Sequence, residues 1–318
     1  MDSAGVYPVP AFAGINSSGN GNDKLTSPAD NQEEVYCGIE APEGDGWEQD
    51  PDTLDTWFSA GLWTFSTLGW PEQTSDLKTF HPTSIVAPGY EILFFWVARM
   101  ILMSTYHLGQ IPFKEVYIHG IVRDKQGRKF SKSLNNGIDP IEMINKYGTD
   151  ALRFALVFNS APGNDVLFDE QKVKGMKHFA NKLWNISRYI LMNIDPSLPS
   201  PHEGRIGGVT DADKLLHEQL QQIIRDVSNQ HIHEGAQALY QFIWHDFADV
   251  YIEASKAQLQ DDKLKISTQQ NLLYTLITVL KLLHPFMPFL TEVLWQKLYA
   301  QKLVKDSMLM ISRWPESK

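Results

Sequence analysis

Cysteine is almost missing. Cys37 stands alone among 318 residues, so the chain can close no disulfide on itself and can build no cysteine-rich zinc site. Long hydrophobic runs are missing too: apolar residues make up 43% of the sequence, yet no stretch approaches the roughly 20 apolar residues of a membrane-spanning helix. The first residues lack the basic, apolar and small-residue succession of a secretory leader. A soluble, cytoplasmic protein with no membrane partner is the expectation. An excess of positive charge, the usual footprint of an RNA binder, is also absent, since the formal net charge is −10. That acidity is local. Residues 1–47 carry one Lys against eight acids, residues 48–157 ten cations against twelve acids, and residues 158–318 seventeen against eighteen. Beyond the N-terminal segment the chain is close to neutral, which leaves room for local basic surfaces.

The densest chemistry lies in Gly127-Arg-Lys-Phe-Ser-Lys-Ser-Leu-Asn-Asn-Gly-Ile-Asp-Pro140. Between Ile121 and Ser133, five cations (Arg123, Lys125, Arg128, Lys129 and Lys132) accompany one carboxylate, Asp124. Lys and Arg supply charge and Ser supplies hydroxyl donors, while glycines allow turns through which backbone N–H groups approach an anion. On residues alone the stretch reads either as a solvated basic turn or as a phosphate cradle.

Taken in order, residues 1–34 are rich in Gly, Ser, Asn and Asp and predict irregular chain. Ser84 to Ala87 predicts a short buried strand stopped by Pro88-Gly89. Glu91 to Tyr106 predicts a helix, apolar nearly all round and therefore buried, with Phe94, Phe95 and Trp96 in the core. Lys114 to Val122 predicts a second strand carrying His119-Gly120, where the glycine would give a ligand close approach. A turn between a strand end and a helix start is where open α/β sheets place ligands.

Helical patterns follow at Ile141–Tyr147, within Phe168–Met192, at Lys214–Asn229 behind a Thr210-Asp-Ala-Asp213 cap, at His233–Gln258 and at Thr268–Leu283. The Phe168–Met192 segment sets Val173, Met176, Ala180, Leu183, Trp184 and Ile190 inside and Lys174, Lys177, Lys182 and Arg188 on a basic face. That face is either solvated or an RNA contact. Tyr240, Trp244 and Val250 belong to the apolar side expected of His233–Gln258. His284-Pro-Phe-Met-Pro288 breaks the helical run, and Thr291-Glu292 opens another helix. His231-Ile-His233 has the look of a metal pair but no acidic or cysteine companions, so no metal site is expected.

The Lys-x-Ser-Lys-Ser spacing at residues 129–133, followed by Leu-Asn-Asn-Gly-Ile-Asp-Pro140, resembles the KMSKS loop of class I aminoacyl-tRNA synthetases, with Phe130 in place of Met. Asp52-Thr-Leu-Asp-Thr-Trp-Phe-Ser59, the Gly89-Tyr-Glu-Ile92 turn and the run after His284 make the likeness most specific to the valyl branch. The resemblance implies a remnant of the Rossmann-like α/β catalytic domain over residues 48–157, then an all-α anticodon-binding helical bundle over residues 158–318, behind an irregular segment 1–47. It implies catalytic roles for Lys129 and Lys132, and ATP binding by His119, Gly120, Lys129, Ser131, Lys132 and Ser133. Valine falls to Trp57, Glu91 and Ile92, although Trp57 on its own reads equally as a structural tryptophan. ATP with Mg2+, valine and tRNA(Val) are the implied ligands.

The sequence contains no His-x-Gly-His, which the family's HIGH motif requires, and no counterpart of the editing domain. A complementary N-terminal half-synthetase is therefore an expected partner. A noncatalytic tRNA-binding module descended from a synthetase is the alternative.

Overall fold

In the computed structural model of the protein the described residues are 12–16, 34–38, 41–44, 47–49, 51–131, 133–158, 160–197, 210–228 and 232–317. They divide into two compact units, one built from the chain up to Ser84 together with Phe94–Lys114, the other from Ile85–Leu93 and the chain from Glu115 on.

In the first unit, strand β1 (Phe12–Asn16) pairs antiparallel with β2 (Glu34–Gly38) on one side and with β3 (Trp47–Gln49) on the other. Irregular chain was the expectation for residues 1–34. The strand forms at a stretch that brings Phe, Ala and Ile together, and its order comes from pairing partners distant in sequence, which local composition does not register. Asp55 caps α1 (Thr56–Ser66) by accepting the Trp57 N–H at 2.7 Å, and Thr74 caps α2 (Ser75–Phe80) through the Leu77 N–H at 3.0 Å.

Strand β4 (Thr83–Val86) precedes a 3-10 turn at Tyr90–Ile92 and a π-helical stretch at Leu93–Val97 that runs into α3 (Ala98–Leu108). α3 packs on α1 at Gly61, where an added Cβ would stand 3.2 Å from Met103 Cγ. Phe65, fully buried, meets the Trp70 ring edge-on at 5.3 Å. The expectation of a helix buried all round is corrected here. Of residues 90–108 only Val97, Met100 and Ser104 are buried, a single stripe, while Phe94 is 80% exposed and Phe95 51% exposed. An apolar composition does not supply a second covering surface.

Strand β4 pairs with β5 (Phe113–Val116), but Ser84 and Ile85 are exposed, so the predicted buried strand buries only Val86. In the second unit the pairing continues as hydrogen bonds from Tyr117 N–H to Val86 O (2.8 Å), His119 N–H to Pro88 O (3.0 Å) and Tyr90 N–H to His119 O (3.3 Å). The strand predicted over 114–122 is thereby split, its far end forming β6 (Val122–Arg123). β6 lies parallel to β7 (Val166–Leu167), a partner that local patterning could not announce.

The rest of the second unit is helical: α4 (Pro140–Tyr147), α5 (Thr149–Val157), α6 (Glu170–Asn193), α7 (Asp211–Ser228), α8 (Ile232–Gln241), α9 (Ile252–Gln258), α10 (Lys265–Leu283) and α11 (Pro288–Ala300). The cap expected before α7 forms reciprocally: Asp213 N–H donates to Thr210 Oγ1 at 3.2 Å and Thr210 N–H to Asp213 Oδ2 at 3.0 Å. Phe154 stacks on Phe179 (5.3 Å), Phe179 on Tyr240 (5.0 Å) and Tyr240 on Trp244 (5.7 Å), a column that ties α5, α6 and α8 together. α10 is the central helix, with Leu272, Leu276, Val279, Leu280 and Leu283 all inaccessible.

Of the apolar positions expected on the buried sides of the 168–192 and 233–258 helices, two are exposed. Val250 is exposed because residues 242–251 wind as a π-helix and leave the 3.6-residue register. Trp184 keeps one face open, with Lys297 Nζ 5.3 Å from its ring centre. α11 begins at Pro288, three residues before the predicted start, since proline is suited to a first helical turn. Among the described residues no helix is long and apolar enough to cross a membrane.

Candidate active site

The basic loop is organised by its one acid. Asp124, almost fully buried, accepts hydrogen bonds at Oδ1 from the backbone N–H groups of Gln126 (2.9 Å) and Arg128 (2.8 Å). Its Oδ2 accepts from Arg128 Nε and from Asn136 Nδ2, both at 2.8 Å. The Asn136 bond first, then those from Arg128 and Gln126, hold the Asp124 carboxyl well below the usual carboxylate range. Asn136 is the second pin: its Nδ2 also donates to Lys129 O at 3.2 Å and its Oδ1 accepts the Ser131 N–H at 2.9 Å. Arg123 and Lys129 close the hairpin as an antiparallel bridge. Five cations beside one acid look like an unpinned basic turn until the two side chains that reach back into it are seen.

Behind the loop, Asp165 joins the neighbouring segments. Its Oδ1 accepts the Ile121 N–H at 2.8 Å, and its Oδ2 is bound by Arg123 Nε and by Tyr90 Oη. The Ile121 N–H and then Arg123 lower its pKa. Arg123 also donates to Tyr90 Oη at 3.0 Å. Tyr90, Arg123, Asp165, Asp124 and Asn136 carry no role in the sequence reading, because the contacts that join them to one another span from 12 to 75 residues along the chain. The one local signal was the Asp124-Lys-Gln-Gly127 turn.

Of the expected phosphate ligands, Lys129 is presented at the surface with its Nζ 2.6 Å from Glu91 Oε1. This brings together residues assigned to two different substrates. Ser131 Oγ and Ser133 Oγ share a hydrogen bond at 2.7 Å. Lys132 lies outside the described residues.

His119 faces Gly89 across a parallel bridge, and its Nδ1 lies 2.8 Å from Gly120 O, an arrangement that fits a proton on Nδ1 and leaves Nε2 for a ligand. Gly120 does not have the ligand-approach role expected of it. A Cβ there would sit 1.7 Å from Asn164 O, so the glycine makes room for the protein's own backbone and not for a ligand.

Ile92 is half-buried in the same turn as Glu91. Trp57 belongs to the first unit, where its ring lies 6.0 Å from that of Phe95 and 5.5 Å from the Arg99 guanidinium.

The expected basic face on α6 is uneven. Lys174 and Arg188 are exposed, and Lys177 Nζ donates to Lys146 O at 3.2 Å. Lys182 faces the protein instead, paired with Asp249 at 2.8 Å and 4.3 Å from the Trp244 ring centre. It lies well around the helix from the other three, as 3.6 residues per turn require. Among the described residues no group of three or more His, Cys, Asp or Glu could hold a metal ion, and His231 lies outside them.

The pinned loop thus carries a surface-held ammonium and two hydroxyls, groups of the kind that bind anionic oxygens, and His119 stands separately at a strand end. Known proteins are similar to this chain along most of its length. Residues 18–169 match the tRNA synthetases class I (I, L, M and V), and residues 212–318 match the anticodon-binding domain of tRNA ligase. A valine–tRNA ligase of Pseudothermotoga lettingae is 46% identical over 301 residues, covering 93% of this chain and 33% of that protein. The valine–tRNA ligase of Bacillus subtilis is 47% identical over 290 residues, with 89% and 32% covered. The chain thus spans about a third of the length of these curated relatives.

Among solved structures, the Agrobacterium radiobacter K84 LeuRS in ternary complex with tRNA and LeuAMS superposes with a TM-score of 0.70 at 20% identity, covering 95% of this chain and 37% of that one. Mycobacterium tuberculosis methionyl-tRNA synthetase bound by methionyl-adenylate gives 0.63 at 18% identity, with 82% and 52% covered. At such identities these two likenesses concern the fold.

Proposed function

We infer, for a chain that belongs to the class I tRNA synthetases and carries their anticodon-binding domain, that it is the part of a valine–tRNA ligase that grips the ATP phosphates and engages tRNA(Val). The observation that carries this reading is the presentation of Lys129 by a hairpin pinned through Asp124 and Asn136. In the reaction the valine carboxylate attacks the ATP α-phosphate, pyrophosphate leaves, and the valyl group passes from the adenylate to tRNA. Lys129 and Lys132 meet the charge that develops on the leaving phosphates, and Ser131 and Ser133 donate to the chain of oxygens. His119 serves the adenosine end. Glu91 matches the valine ammonium and Ile92 its apolar side chain; Trp57, in the first unit, is assigned to valine by the family likeness alone. Mg2+ would come with the nucleotide, because the described residues offer it no cage of their own.

Lys174, Lys177 and Arg188 are the cations offered to tRNA, with Lys182 engaged in the bundle. A second half-synthetase supplying a His-x-Gly-His segment completes the site, in a cytoplasmic setting. A noncatalytic tRNA-binding module is the competing reading, favoured by a helical core from Met143 to Leu309 that includes none of the loop residues.

Amino-acid-dependent pyrophosphate exchange by the completed assembly separates the two. Valine is expected to outrun the larger isoleucine and to exclude near-isosteric threonine poorly, as apolar pockets of synthetases are known to do. Isoleucine preferred over valine would overturn the valyl assignment, and no exchange with any amino acid would favour the noncatalytic module.

A further inference from the structure

We propose that Glu91 is a positioning residue that latches Lys129 in the ligand-free protein and releases it to an incoming triphosphate. The inference rests on the reading of Lys129 as a phosphate ligand. Both ends of the contact are anchored. Glu91 follows Gly89, which bridges His119, and its neighbour Tyr90 is held by Arg123 and Asp165. Lys129 has its carbonyl on Asn136 and its backbone bridged to Arg123.

The ion pair between these fixed backbones is itself open to water, with the Lys129 and Glu91 side chains 56% and 39% exposed. An exposed pair of this kind is weak. A triphosphate, with several anionic oxygens within reach of one ammonium, competes with a single carboxylate successfully. The latch therefore keeps Lys129 beside the strand-end turn while lowering its apparent affinity for phosphate by the fraction of time it is engaged.

The test is calorimetric titration of the purified 318-residue chain with inorganic tripolyphosphate. Glu91→Gln keeps the size and polarity of the side chain and removes its charge. It is expected to bind roughly two- to five-fold tighter than wild type, the range an exposed ion pair allows. Lys129→Ala is expected to bind at least about tenfold more weakly. In the Glu91→Gln, Lys129→Ala double variant the gain should vanish, because no ammonium remains to be released.

Unchanged or weaker binding by Glu91→Gln would overturn the latch. So would a gain that persists in the double variant, since removal of a negative charge would then act at large. Wild-type binding by Lys129→Ala would instead sink the underlying assignment of Lys129, an outcome distinguishable from failure of the latch alone.

Discussion

Asp124 illustrates how a single side chain converts a charged sequence into a defined loop. Its folded pKa is depressed, so its contribution to stability is present at every pH above the unfolded carboxylate value near ~3.9 and is lost as the pH falls through the folded one. A carboxyl-carbon NMR titration should show Asp124 still ionised at about pH 3. A midpoint near the unfolded value would mean that the four donors do not hold it. Gly120 makes the opposite kind of demand, for space. Gly120→Ala would drive a methyl into the Asn164 carbonyl, and overpacking against backbone costs at least about 1–3 kcal/mol. Urea unfolding of that variant reads the loss directly, and an unchanged midpoint would contradict the packing described. Neither demand was legible locally. Asp124 could be counted, but its partner Asn136 lies 12 residues on, and Gly120 meets a turn 44 residues away.

At the scale of elements, the helices were the most legible feature, because apolar residues at a 3.6-residue period report burial whatever the partner. α6 and α10 stand close to where periodicity put them, and the Thr210 cap formed as its spacing required. The strands were less legible. β4, β5 and β6 are two to four residues long, and their order depends on distant segments such as 164–167. The junction of α5 with α11 shows what periodicity cannot reveal. Asp150 accepts the N–H groups of Phe289 and Leu290 at the start of α11, while Arg153 donates to the carbonyls of Pro285 and Phe286. Asp150→Ala leaves two N–H groups of that first turn without their acceptor and should cost about 1–2 kcal/mol, measurable as a lowered thermal midpoint. Burial raises the Asp150 pKa despite those bonds. Its share of stability therefore grows as the pH falls from the raised folded value toward ~3.9, opposite in sign to that of Asp124.

For the molecule as a whole, the family likeness was legible because short motifs carry chemistry that tolerates few alternatives: a Lys-x-Ser-Lys-Ser loop, a glycine turn at a strand end and a histidine beside it. Periodicity put the helix at 91–106 inside, whereas the lack of a His-x-Gly-His half carries the opposite expectation, that apolar surface from Trp57 to Tyr106 stays uncovered; Phe94, Leu102 and Tyr106 are exposed, since composition reports what a segment could bury and not whether a cover is supplied. Activation of an amino acid needs ATP held at its adenosine and phosphate ends together, and these 318 residues contain no His-x-Gly-His to oppose the basic loop. The purified chain by itself is therefore expected to give no valine-dependent pyrophosphate exchange. The most direct test is that exchange after the chain has been joined by the segment of a valine–tRNA ligase bearing the missing motif, with Lys129 intact or changed to Ala. Loss of one charge-assisted contact of about 1.5–3 kcal/mol should slow exchange roughly 10- to 150-fold. Exchange at the wild-type rate by the completed Lys129→Ala assembly would contradict the account.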